Sequence, residues 1–274
     1  MNRVLVGDIA HFSTLSVRRN VRRTAASMFM VALILAYGVS VIGGIASTDD
    51  YTRRLVLHTI GADASVWLFD GSSADEIMGR IEDIEGVEAA TVEKWFQAQS
   101  AVGGISIRMI DPPSWMNIAY LEQGWIEDAE AFSHMDETDD NALLEKGVAE
   151  LTGGAKGFPW LIRIGDNVHT FVVAELFGRE TGISTRIQSP TLYISDSYPI
   201  RDKYIDSSRI LVKLEENADH AMIKEEIEAL DPDVEGVEIA DEIVRVARSN
   251  PFLSSSRQVE ELGVSFAALI SSLG

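Results

Sequence analysis

The residues of this chain that could do chemistry do not fall into a pattern that a reaction needs. Five histidines, His11, His58, His134, His169 and His220, are scattered along the length. None is spaced as HExxH or as another pair that would set two imidazoles around a zinc ion. His134 stands among Asp128, Glu130, Asp136, Glu137, Asp139 and Asp140. Such a stretch could hold a divalent cation loosely, but a solvated acidic loop is the plainer reading. The run Gly153–Gly157 (GGAKG) lacks the GxxxxGK[ST] spacing with which backbone amides and a lysine cradle phosphates. It reads as a loop after a helix, so the chain binds no ATP by that motif. No GxSxG elbow is present, and Ser254-Ser255-Ser256 reads as a linker. There is no cysteine, hence no disulfide, no thiolate metal site and no cysteine nucleophile. The expectation is no catalytic residue, no cofactor and no metal, and so not an enzyme. Trp95, Trp115, Trp125 and Trp160 are candidates for a binding face, with core or hinge packing the plainer alternative.

With no reaction to position, the element that organises the chain is Thr24–Thr48. It reads TAASMFMVALILAYGVSVIGGIAST, and it contains no charged residue. A helix rising about 1.5 Å per residue would exceed the ~30 Å hydrocarbon core of a bilayer over this stretch. Phe, Val, Leu and Ile together favour insertion by roughly 3–5 kcal/mol before the polar residues are counted. Arg18, Arg19, Arg22 and Arg23 stand just before it, and Asp49 and Asp50 just after. Basic flanks stay on the cytoplasmic side, which predicts an inner N-terminus and an outer domain. The arginines are expected to anchor the inner end in the head groups, with Leu5, Ile9 and Phe12 on one face of an interfacial segment. Two readings compete with a spanning helix. One is a cleaved signal peptide, with Gly44-Ile45-Ala46 as the small-residue site; the other is a buried helix of a soluble protein. Ala32, Ala36, Ser40 and Gly44 recur every four residues, a small-residue row that lets a second membrane helix approach closely.

Charge is segregated along the chain. The formal net charge is −20, with residues 1–24 at +4 and residues 257–274 at −1, leaving −23 for residues 49–256. A domain this acidic repels nucleic acid and anionic surfaces, which excludes nucleic-acid binding. Only six lysines accompany seventeen arginines. An apolar content of 46% is ordinary, so the outer part can bury a core.

The remaining segments predict an α+β domain in two β-α-β halves. Asp49–Leu57 prolongs the first helix until Gly61 ends it. Ala64–Asp70 reads as a strand, and Ser73 with Glu76 as a capping box for a helix over Ala74–Ile84. Strands follow at Val87–Ala98 and Ile105–Asp111, before Pro112-Pro113. The same grammar returns later. Arg209–Leu214 is a strand, Asn217 caps a helix over Ala218–Leu230, and Val234–Ala240 is a strand. Two such halves sharing one sheet make a split, ferredoxin-like layer. Between them, about 114–207, lies a smaller β-rich part. It holds a helix at Trp115–Leu121, an acidic stretch at Glu127–Asp140 and a helix at Asn141–Leu151. Strands at Trp160–Ile164, Val168–Phe177 and Thr191–Ser195 follow, the first two joined by a turn at Gly165-Asp166-Asn167. Asp241–Arg248 reads as a helix. Gly263–Gly274 has membrane character but is too short to span. The expected organisation is 1–23 cytoplasmic, 24–48 transmembrane, 49–256 extracytoplasmic, and 257–274 the start of a second membrane helix that the chain truncates.

These features, in this order, resemble a family. Leu15–Arg23 running directly into a membrane helix is similar to the start of FtsX-like permeases of the macrolide-exporter (MacB) and lipoprotein-release type. Gly61-Ala62-Asp63, the helix-Gly-Val-strand of Ile81–Val87, and Asn141–Gly154 followed by Gly165-Asp166 and Phe171-Val172-Val173 extend the resemblance. Phe252–Gly274 looks like entry into that family's second membrane helix. The resemblance implies a MacB-like extracytoplasmic core with a porter-like α/β part and an inserted β-rich part. It further implies four membrane helices, a dimer with a second permease subunit, and a separate ATP-binding cassette subunit on the cytoplasmic side. The function it implies is mechanotransmission, in which ATP hydrolysis inside moves the outer domain for export or release. The alternative is a membrane-anchored extracellular binding or adaptor protein without an ATPase partner.

Overall fold

The computed structural model describes residues 21–69, 73–126, 130–178 and 191–249. In chain order the elements begin with helix α1 (Val21–Ile60), strand β1 (Ala64–Leu68), α2 (Ala74–Glu82), β2 (Val87–Ser100) and β3 (Gly103–Ile110). Then come α3 (Pro112–Ile118), α4 (Ala131–Asp136), β4 (Asn141–Glu145), α5 (Lys146–Thr152), β5 (Pro159–Ile164), β6 (Asn167–Phe177) and β7 (Leu192–Ser195). The chain closes with β8 (Ser207–Leu214), α6 (His220–Leu230), β9 (Val234–Ile239) and α7 (Ala240–Ser249). They form two compact units, one containing α1 up to Asp50 and the chain from Ala247, the other Tyr51–Val246.

In the first unit, α1 is exposed along its apolar stretch. Val21–Ser40 is long and apolar enough to cross a membrane, by length and composition. Two of its hydroxyls are folded back on the helix: Ser27 donates to the Arg23 carbonyl at 3.1 Å and Thr48 to the Gly44 carbonyl at 2.9 Å. A hydroxyl so occupied can sit in an apolar surrounding without an unmet hydrogen bond.

In the second unit, strands β2–β8–β1–β9 make an antiparallel four-stranded layer. The order interleaves the two β-α-β halves, as the repeated strand-helix-strand grammar predicts. Helices α2 and α6 cover one face. Their apolar residues recur at three- and four-residue spacing, so Ile77 and Ile81 on α2 and Ile223 and Ile227 on α6 fall on one side and are buried. They pack on Val66, Ile210, Val212 and Ile239 of the sheet. Gly86 sits at φ +93, where a Cβ would come within 3.1 Å of Ala218 and Ile223, so glycine is needed to bring α6 this close.

Two expected caps are different in the structure. Ser73 makes no cap bond; its hydroxyl donates instead to Asp233 at 2.8 Å, tying the two halves together. α6 is capped by Asp219, which accepts from the amides of Ala221 and Met222, and not by Asn217. The longer helix expected over Asn141–Leu151 is also corrected. Asn141–Glu145 is a strand, paired with both β6 and β7, and only Lys146–Thr152 is helical. Its residues Ala142, Leu143 and Leu144 are all buried, which an apolar run achieves between two neighbouring strands and a one-sided helix does not.

Strand β2 runs on beyond the layer. Pairings β2–β3, β3–β7, β7–β4, β4–β6, β6–β5 and β5–β2 close a six-stranded ring, with Gln99 opposite Arg163 at the closure. Phe96, Ile107, Trp160, Ile162, Phe171 and Ile194 are among its core residues. Its strands β4–β7 come from the 114–207 region, and β2 and β3 from before it. A third apolar cluster lies under α3 and α4, including Trp115, Trp125, Phe132, Phe177 and Tyr193.

Candidate functional site at the docked end of the long helix

The last turns of α1 enter the second unit, and there they meet charge. Gly61 stops the helix at φ +94, its amide donating to the Leu57 carbonyl at 2.8 Å. The carbonyls of Thr59 and Ile60 are left without helical partners. Arg209 on β8 supplies one: its Nη1 donates to the Ile60 carbonyl at 2.9 Å and to Thr59 at 3.4 Å. A side chain at Gly61 would meet Arg209 Nη2 at 2.9 Å, so with the arginine in this position the turn takes glycine.

Arg209 is held from the other side by Glu93 on β2, with its Nε donating to Oε2. Glu93 is completely buried, and Arg209 nearly so. Glu93 also accepts from Trp115 Nε1 at 2.5 Å and Arg108 Nη1 at 3.3 Å. Arg108, on β3, further donates to the Tyr193 hydroxyl at 3.1 Å and lies 4.2 Å over the Trp95 ring. Burial opposes the charge on Glu93, but the Arg108 and Arg209 guanidiniums outweigh it and hold the carboxyl below the usual range. Burial pushes the Tyr193 hydroxyl up, so it stays protonated.

The position of Glu93 gives the cluster its meaning. It pairs with Arg209 of β8 on one side and with Ile110 of β3 on the other. It therefore sits where β2 passes from the four-stranded layer into the ring. One buried carboxylate joins the end of α1, through Arg209, to both sheets.

A second contact flanks it. Arg54 of α1 donates from Nε to Glu122 Oε1 at 2.9 Å, and its Nη2 reaches the same oxygen. Tyr120 donates its hydroxyl to Glu122 Oε2 at 2.9 Å, while its amide donates to the Gly61 carbonyl at 2.6 Å. Burial and the bond to Glu122 push the Tyr120 hydroxyl up to about 12. One turn on from Arg54, His58 sets its ring edge-on to Trp125, 4.6 Å between centroids.

Of the residues singled out in the sequence, Arg22 and Arg23 lie exposed in the first turn of α1, and Ala32, Ala36, Ser40 and Gly44 are exposed along it. Arg18 and Arg19 lie outside the described residues, as do His11, Ser254–Ser256 and 257–274. Trp115, Trp125 and Trp160 are core residues, and Trp95 covers Arg108. The acidic stretch contains α4, which buries Ala131, Phe132 and Met135, while His134 turns to Glu137 at 3.2 Å. Among the described residues no group of three His, Asp or Glu could hold a metal ion. Glu93, Arg108 and Arg209 were not found from the sequence. The available signal was charge inside each of three apolar strand runs, ATVEKWF, ISIRMI and SRILV.

No family model matches the chain, and no curated protein does. Solved structures similar to it include outer domains of transporters. One is the periplasmic region of MacB from Actinobacillus actinomycetemcomitans, with TM-score 0.41 and 10% identity over 70% of this chain and 95% of that one. Another is the extracellular domain of the ABC-type transporter YknZ from Gram-positive bacteria, with TM-score 0.42 and 13% identity over 64% of this chain and 98% of that one.

Proposed function

We propose that this chain is a permease subunit of an ABC transporter that couples ATP hydrolysis by a cytoplasmic partner to movement of an extracytoplasmic domain. In this reading the N-terminus is inside, Arg18, Arg19, Arg22 and Arg23 hold the inner end, and α1 crosses the membrane once. The row Ala32, Ala36, Ser40 and Gly44 receives another membrane helix, and a second permease subunit completes the assembly. The outer domain carries no catalytic residue of its own. The observation that carries the reading is the tie from the α1 carbonyls through Arg209 to Glu93. A displacement of the end of α1 is delivered to β2, the strand shared by both sheets, and not to a loop that would absorb it.

The test is purification from membranes of the native locus, followed by an ATPase assay. An ATP-hydrolysing subunit should co-purify, and neutralising Arg18, Arg19, Arg22 and Arg23 should release it. Arg209→Met should leave that subunit bound but uncouple its hydrolysis from the outer domain. An outer domain that is stable and has no ATPase partner would replace this reading with the anchored binding protein.

A further inference from the structure

The contact of His58 with the domain has no part in the tie just described, yet it stands beside it. His58 is partly buried in the last turns of α1, stacked edge-on against Trp125. The charged groups around it come from four elements and one connecting segment. Arg54 is one turn back on its own helix and is engaged by Glu122, on the segment after α3. Arg108 on β3 and Arg209 on β8 lie on the domain side, with Glu93 of β2 between them. Glu122 is already bound by Arg54 and Tyr120. Glu93 is already bound by two guanidiniums and two indoles, those of Trp95 and Trp115. Among the described residues, no carboxylate at this seam is left to serve a third cation.

We propose that protonation of His58 loosens the docked end of α1, so that coupling between helix and outer domain responds to the pH outside the cell. The docked form holds the neutral ring. Burial first, and then Arg108 and Arg209, hold the imidazole below its ordinary titration range, while Glu122 works in the opposite direction and does not prevail. A cation in a final helical turn is ordinarily favoured by the helix dipole. Here the terminal carbonyls are already taken by Arg209, and burial of the ring outweighs what remains. On acidification the imidazolium is better solvated undocked, and the equilibrium moves toward release of the last turns of α1. The structural claim stands without the transport reading; its regulatory meaning rests on it.

The experiment uses the full chain in lipid nanodiscs. Amide hydrogen exchange of Leu57–Gly61, corrected for the intrinsic rate, is compared at about pH 8 and about pH 5.5, either side of an ordinary imidazole near ~6.5. Protection in the wild type should fall roughly severalfold on acidification and return on neutralisation, while His58→Gln should stay flat. Wild-type protection that does not change, or His58→Gln that changes equally, overturns the proposal. Should the variant fail to fold, NMR titration of the wild-type His58 ring decides. A midpoint at or above the ordinary imidazole value overturns the proposal, and one below it supports it. ATP turnover of the assembled transporter then separates the two claims. If exchange switches with pH but turnover of wild type and His58→Gln is the same at both values, the regulatory claim fails and the docking switch stands.

Discussion

The two faces of the four-stranded layer solve the same packing problem in opposite ways. Under α2 and α6 everything is apolar: Ile77, Ile81, Ile223 and Ile227 on Val66, Ile210 and Val212. On the other face Glu93 and Arg209 are buried together, with Arg108 of the adjoining strand β3 beside them. A closely packed apolar face tolerates volume-conserving swaps and has no single residue on which the rest depends. The ionic face depends on one carboxylate. What the difference teaches is that the apolar face holds the layer together, while the ionic face fixes which part of the chain is attached to it.

Removing that carboxylate is therefore the sharpest way to separate the faces. Glu93→Ala leaves two guanidiniums buried without their partner and should destabilise the domain by about 3–5 kcal/mol. Urea unfolding of the full chain measures it. Replacing Glu93 and Arg209 together by Leu and Met should recover part of the loss, since only Arg108 is then left without its carboxylate. A double variant no more stable than Glu93→Ala would contradict this account. The pH form of the same prediction has a definite sign. Glu93 titrates lower in the folded state than in the unfolded one, so its contribution is complete above the ordinary carboxylate range and is lost as pH falls below it. Glu93→Gln should flatten that acid limb.

The apolar face makes the contrast. Ile223→Ala should cost about 2–4 kcal/mol through the cavity it leaves. Its loss should not change exchange protection at Leu57–Gly61 relative to the rest of the domain, whereas Glu93→Ala should reduce that protection first. Equal behaviour of the two variants at the end of α1 would remove the distinction between the faces.

Gly61→Ala attacks the junction from the backbone. It places a side chain at φ +94 and against Arg209, and should cost about 1–3 kcal/mol, with the loss confined to the end of α1. Restoring stability by adding Arg209→Lys, whose head group is smaller and can move aside, would show that the clash and not the dihedral is the larger part.

How far the sequence carried follows the same division. The apolar face was legible because its signal is local. IxxxI on α2 and IxxxI on α6, each followed by a turn and a strand, specify helices that cover a sheet. The four-stranded layer and its two halves came from that repeat. The end of α1 was legible at Gly61, a residue with few other reasons to follow a long helix. The ring was not legible as a ring, because closure depends on β2 being long enough to serve two sheets. Within ATVEKWFQAQS nothing marks where one partner replaces the other. The helix expected at Asn141–Leu151 failed for a related reason: a short apolar run reads as helix or strand until its neighbours are known. The Glu93 cluster was not legible because its three charges lie on three different strands, with β8 far from β2 and β3 in sequence. Each alone reads as an exposed residue of a half-buried strand, and only the register of β2 between β8 and β3 brings them together.

The smallest effects sharpen the comparison by separating buried charge from exposed charge. Tyr120→Phe removes one donor from Glu122, which is buried, and should cost about 1–2 kcal/mol because the Oε2 acceptor is left unmet. Lys213→Ala breaks a pair with Glu88 whose nitrogen and oxygen are 2.6 Å apart, a shorter contact than that of Tyr120. Both partners of that pair are exposed, so its loss should be within about 0.5 kcal/mol and should vanish in salt. Distance alone would rank the two the other way. Thermal unfolding of both variants at low and high ionic strength decides. If Lys213→Ala is the more damaging, burial is not what gives the charges at the end of α1 their weight.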